Sequence, residues 1–232
     1  MTELLAFFSN PFSSTALFSK EFLTLAIVHF LAVIAPGPDF AVTVRQSVRF
    51  GRAVGMATAV GIGMGISLHV GYTLIGVGAL LHTYPWLLTL TSVLGAAYLV
   101  YLGVILVRSR PQVAPSTPVV DASSALESVG VTPSLSRAFW LGFLTNATNP
   151  KATLFFLAIF TTLVQPTTPL PVQALYGLWM CGVNAAWFMT VAALFTMARV
   201  RDTFLRLGHW LERLMGVVLL LFALRLVMQA VG

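Results

Sequence analysis

Ala35-Pro36-Gly37-Pro38-Asp39-Phe40 interrupts one apolar run, and Asn146-Ala147-Thr148-Asn149-Pro150-Lys151-Ala152 interrupts another in the second half of the chain. Proline lacks the N–H that a helix needs and its ring clashes with the turn before it, so a helix entering either stretch stops and restarts. Setting Pro38 against Pro150 also sets Asp39 against Lys151. The same break thus recurs with opposite charges beside it. Each break frees carbonyls, near Ala32 to Ala35 and near Asn146 to Thr148, and begins a new half-helix with unbonded amides. Such backbone is tolerated at membrane depth only where it lines a cavity or is covered by protein, so the two breaks are expected to face each other across a cavity.

That the surrounding solvent is lipid follows from composition. Hydrophobic residues make up 58% of the 232 residues and charged residues 9%, against about 25% charged in soluble domains; the mean hydropathy is +0.91. The net charge of +6 comes from basic residues in short tracts between apolar runs, a topology pattern rather than a nucleic-acid surface. Cys181 is the single cysteine, which excludes an intrachain disulfide, a thiolate metal cluster and a dithiol carrier.

Ala53 to Val107 and Ala152 to Ala198 contain no Asp, Glu, Lys or Arg, and each is long enough for two spans of about 20 residues. Spans are expected at 20–47, 53–81, 85–107, 137–164, 171–198 and 209–230. Arginines gather in alternate loops: Arg45, Arg49 and Arg52; Arg108, Arg110 and Arg137; Arg199, Arg201 and Arg206. The positive-inside rule places those loops in the cytoplasm and both termini outside it. Residues 1–19 carry Glu3 and no basic residue, so they read as an interfacial segment rather than a cleaved signal peptide. The Pro/Ser/Thr-rich linker 109–136 divides a first three-helix repeat, 20–108, from a second, 137–232. An odd number of spans per half inverts the second half. The expected fold is an all-α integral membrane protein of six transmembrane helices, arranged as two inverted three-helix repeats with the first helix of each broken at proline.

Half-helix N-termini favour a carboxylate and freed carbonyls an ammonium. Asp39 and Lys151 each cost at least ~2.5 kcal/mol at membrane depth. They either pair as a structural bridge, bind the two ends of a zwitterion, or titrate during transport; the bland alternative makes both proline motifs mere kinks. Candidate binding residues are Pro36, Gly37, Pro38 and Asp39 at the first break, Asn146, Asn149, Pro150 and Lys151 at the second, and His69, whose ordinary pKa of about 6.5 suits a proton relay. His29 reads first as a hydrogen-bonded packing residue, with the same proton-relay alternative, and Asn184 as a polar group that needs a partner in hydrocarbon. Gly55, Ala59, Gly63, Ser67 and Gly71, with Ala57, Gly61, Gly65 and His69 beside them, form rows that let another helix approach closely. Trp86, Tyr84, Trp140, Trp210 and Tyr176 read as interface anchors.

The first motif, followed by Arg45-Gln46-Ser47, Gly51-Arg52 and the glycine series with His69, resembles the LysE/RhtB superfamily of bacterial amino-acid exporters, of threonine/homoserine/lysine exporter type. Gly142-Phe143, Asn149-Pro150-Lys151-Ala152 and Phe155-Phe156 are similar to its other hallmark. The resemblance implies a secondary transporter in the bacterial inner membrane that exports amino acids or related zwitterions in exchange for protons. Its partners are then the substrate, protons and lipid, with a homo-oligomer left open and no nucleic acid, metal or cofactor. A passive channel or membrane scaffold is the alternative on the same architecture. Catalytic signatures such as HExxH, GxSxG and the Walker motif do not occur, so no enzyme is expected.

Overall fold

The computed structural model describes residues 19–83, 85–110, 132–165 and 167–231, and among them the regular elements are α-helices. They are α1 (Lys20–Ile34), α2 (Pro38–Phe50), α3 (Arg52–Thr83), α4 (Pro85–Val107), α5 (Leu135–Ala147), α6 (Pro150–Thr162), α7 (Leu170–Leu194) and α8 (Ala198–Val231). Both proline motifs split a helix as expected, α1 from α2 and α5 from α6. The interfacial segment apart from Ser19, and residues 111–131 of the expected linker, lie outside the described residues.

Local chemistry sets the helix ends. Ser19 Oγ accepts from the Phe22 amide at 3.0 Å and Ser134 Oγ from the Arg137 amide at 3.3 Å, each supplying an orphan N–H of a first turn. Pro38 and Pro150 stand where a missing N–H costs nothing. Between α2 and α3 the chain turns at Gly51, whose φ of 90° a side chain would strain, and whose amide closes the turn onto Ser47 O.

By length and composition, Arg52–Gly76 and Leu170–Leu194 can each cross a membrane, and α1 with α2, bent by 53°, makes a third span. Six spans were expected. Among the described residues these three meet the length and composition required of a span. Lipid exposure is nonetheless visible: Ile75 is 76% exposed, Leu178 69% and Leu221 62%, large apolar side chains turned outward as water would not favour.

Helix α3 is the hub, lying along α5 and α7 and against α2, while α4 pairs with α8 and touches α6. The small-residue rows explain this. A Cβ on Gly61 would meet the Phe139 backbone and one on Gly142 the Thr58 backbone, so α3 and α5 touch main chain to main chain. Gly63 faces Ala185 and Cys181 of α7 in the same way, Gly55 faces Ser47 of α2, and Gly71 meets no atom within 4 Å. Buried apolar side chains fill the interior in two clusters, one around Leu25, Ile66, Phe156 and Met180, the other around Phe40, Ile62 and Phe188.

Trp86, Trp140 and Trp210 are exposed, as anchors should be, and Tyr84 lies outside the described residues. Tyr176 is a correction: it is buried, its ring 5.2 Å from that of Phe22. Helix α7 begins at Leu170, so Tyr176 sits well inside it, on the face turned to α1. Glu21, at the start of α1, accepts from the Gln165 amide and from Thr168 Oγ1, tying α1 to the α6–α7 loop. At the end of α4, Ser109 Oγ donates to His209 O, and Arg213 Nε donates to Ser109 O.

Candidate functional site

The two breaks meet. Around them lies a small cavity, part of it open at its mouth, lined by Ala35, Gly37, Asp39, Asn146, Asn149 and Lys151 with apolar neighbours including Ile66, Phe155, Phe156 and Phe188.

Each break supplies what the other lacks. Lys151 Nζ donates to Ala35 O at 3.2 Å, taking up a carbonyl that the end of α1 leaves free. Asn146 Nδ2 donates to Asp39 Oδ2 at 2.8 Å. Asn146 O, at the end of α5, accepts from His69 Nε2 at 2.9 Å. Since a carbonyl only accepts, His69 carries a proton on Nε2, and in the neutral ring Nδ1 accepts from Tyr72 Oη at 2.8 Å. Tyr98 Oη donates to Lys151 O at 3.1 Å, bracing α6 from α4.

Asp39 and Lys151 make no direct ion pair among the described residues; each is held by a neutral partner on the opposite break. Asp39 Oδ1 is buried without a protein partner. The ammonium of Lys151 has three N–H groups, of which one is used on Ala35 O. The cavity thus presents a spare anionic acceptor beside spare cationic donors. Asn146 Oδ1, also without a protein partner, lies against Gly65, where a Cβ would come within 2.8 Å of it. That position therefore needs glycine if the Asn146 side chain is to fit.

Of the residues expected at the site, Gly37, Asp39, Asn146, Asn149 and Lys151 line the cavity, whereas Pro36, Pro38 and Pro150 shape the breaks without lining it. His69 reaches the site through Asn146 rather than from the wall. His29 and Asn184 are both buried in the cavity wall, and each is the other's polar partner, with 3.3 Å between His29 Nε2 and Asn184 Nδ2. The available signal was a polar residue deep in an apolar helix, one in α1 and one in α7.

With this geometry in hand, comparison with known proteins is decisive: the family described as LysE type translocator matches residues 30–230. The chain belongs to that family. This LysE type translocator is similar to the threonine efflux protein of Escherichia coli (strain K12), with 30% identity over 213 residues that cover 90% of this chain and 98% of that one. The threonine efflux protein of Salmonella typhi is 29% identical over the same share of each chain. An uncharacterized membrane protein of Haemophilus influenzae is 23% identical over 90% of this chain and 97% of its own. No solved structure matches the translocator. The family is one of transporters, not enzymes, and the chain is a membrane transport protein.

Proposed function

We propose that this translocator exports amino acids or related small zwitterions from the cytoplasm, as a secondary transporter coupled to the proton-motive force. The observation that carries the reading is the juxtaposition of Asp39 Oδ1, buried without a protein partner, and the Lys151 ammonium in one cavity between two broken helices. An amino acid's ammonium fits the carboxylate, and its carboxylate fits the remaining Lys151 donors with the amides that open α2 and α6. The relatives named for threonine efflux favour an amino acid as cargo. Asp39 is also the group that takes up the exchanged proton, and His69 with Tyr72 connects the Asn146 end of the site toward the exposed face of α3.

The same reading includes six spans as two inverted repeats in the inner membrane, with both termini outside the cytoplasm. Its support is the repeated break and the way helix ends gather: the start of α1 with the uncharged α6–α7 loop, and the end of α4 with α8 beyond Arg206. A reporter active only outside the cytoplasm should give signal when fused at Gly232 and none at Ser123; the reverse pattern overturns the orientation.

The test of mechanism uses Asp39→Asn, Lys151→Met and their combination, with protein level and protonophore-sensitive export measured for each. Each single change should abolish export with protein retained, and the double should remain inactive. A double variant that exports normally would show that the pair is only structural, since removing both charges then relieves a buried imbalance. Export that merely follows the concentration gradient and ignores the protonophore would mark a channel.

A further inference from the structure

We propose that α1 is the moving gate of this transporter, hinged at the first break, and that Glu21 at its far end is the latch that holds it shut. This rests on the export reading above and names the element that moves. Helix α1 supplies one wall of the cavity, through His29, Ala32 and Val33, with Ala35 at its end. Swinging it outward therefore opens the site. The hinge is the proline break itself, where α1 and α2 meet at 53° and residues 35–37 belong to neither helix. Beyond the hinge the chain is fixed, because α2 is seamed to α3 where Gly55 leaves no room for a side chain against Ser47.

On the other side of the hinge α1 contains no glycine, and it meets α7 through rings: Phe22 against Tyr176 and Trp179, and His29 against Trp179. Polar contacts with α7 are long, 3.4 Å between Ser19 Oγ and Tyr176 Oη and 3.3 Å between His29 Nε2 and Asn184 Nδ2. Rings can slide and repack, whereas main chain against main chain cannot. The shorter bonds gather on Glu21, in the first turn of α1. Its carboxylate accepts from Thr168 Oγ1 at 2.9 and 3.0 Å and from the Gln165 amide at 3.2 Å. The receiving loop is itself braced: the Thr168 amide donates to Gln165 O, and Gln173 Nε2, from α7, donates to Thr168 O at 2.8 Å. About 20 Å of helix separates Glu21 from the hinge, so a small rotation there carries the latch a long way.

Hinge and cargo share one group. Lys151 Nζ donates to Ala35 O and so pins the end of α1 at its present angle. In the export reading the cargo's carboxylate draws on the same ammonium, so loading the cavity loosens the pin and favours release of the latch. Glu21 meets the uncharged α6–α7 loop, which that reading puts outside the cytoplasm. The gate is then the exit.

The test reads opening directly. Leu25, one turn beyond Glu21, is 0% exposed, and so is Ile62 of α3. In the full chain carrying Cys181→Ala, purified in detergent, Leu25→Cys or Ile62→Cys is labelled with a water-soluble maleimide, which reaches a buried thiol only when its surroundings open. Glu21→Leu should speed labelling at Leu25→Cys by about tenfold or more, in line with a lost bond to a charged group, and leave Ile62→Cys unchanged. Glu21→Gln, which keeps an acceptor oxygen, should fall between native and Glu21→Leu. L-threonine should speed labelling at Leu25→Cys, and Lys151→Met should abolish that response. Val28→Cys, also buried on α1, replaces Leu25→Cys if the latter does not fold. The gate is overturned if Glu21→Leu leaves the α1 thiol as slow as before, or if both reporters speed up alike, which marks general loosening. Labelling that ignores threonine in a protein that exchanges labelled threonine in liposomes overturns the link between cargo and latch. Native protein that exchanges no amino acid sinks the export reading, while the Glu21→Leu result still decides the gate.

Discussion

The two breaks share a proline at the start of the second half-helix, yet they are anchored by different means. At the second break, α5 is seamed to α3 through Gly61, Gly65 and Gly142, with main chain against main chain, and Asn149 Oδ1 caps α6 by accepting from the Lys151 amide at 3.0 Å. At the first break, α1 contains no glycine, and Gly37 offers α2 no side-chain cap. Helix α1 is held by rings instead: Phe22 lies 5.2 Å from Trp179 and Phe30 6.0 Å from Trp187. Proline chemistry therefore sets where a helix breaks, but not how firmly its halves are held. A backbone seam has no slack, whereas layers of side chains can repack.

The largest expected effect tests the seam. Gly61→Leu would drive a side chain into the Phe139 backbone, so little or no monodisperse protein should be recovered from the membrane. Trp179→Phe, on the ring-packed side, should leave the yield within about twofold, because apolar side chains adjust to modest changes of shape. Equal, normal yields of both variants would erase the distinction between the two anchorages.

A middle-sized effect separates the two asparagines of the second break. Asn146→Leu keeps volume but strips Asp39 of its donor, and transport should fall by about tenfold or more, in line with a lost bond to a charged group. Asn149→Ala removes the cap of α6 and should cost about 1 kcal/mol of stability, read as a small drop in Tm in detergent. If Asn149→Ala were the more damaging to transport at equal protein level, the cap rather than the Asp39 contact would be the working element.

The smallest effect sharpens the contrast at the first break. A Cβ on Gly37 would meet Lys151 Nζ at 3.6 Å and Cδ at 3.8 Å, ordinary contacts, and the φ of −166° there is open to any residue. Gly37→Ala should therefore change Tm by less than about 0.5 kcal/mol would produce. A collapse of folded protein on this change would mean that the first break is as tightly closed as the second.

Much of the molecule was legible in the residues. Uncharged runs mark the helices, the Pro38 and Pro150 motifs mark the breaks, and the spacing of Gly55, Gly61, Gly63 and Gly65 marks a packing surface, all consequences of backbone bonding and of side chains too small to obstruct. The repeat also set Asp39 against Lys151, and the two line one cavity, each held by a neutral partner on the opposite break. Tyr176 misled because nearness to a span end says nothing of which way a side chain turns.

Sequence alone determined where the chain is helical, where it cannot be, and which charges stand beside the breaks, because those follow from hydrogen-bonding capacity and local polarity. Only the tertiary structure decided which partner each of those groups has. Lys151 meets Ala35 O, Asn146 meets Asp39 and His69, and Asn184 meets His29, across separations of 116, 107, 77 and 155 residues. Such pairings depend on how the helices cross and rotate, which glycine seams and aromatic layers set together and no local pattern encodes.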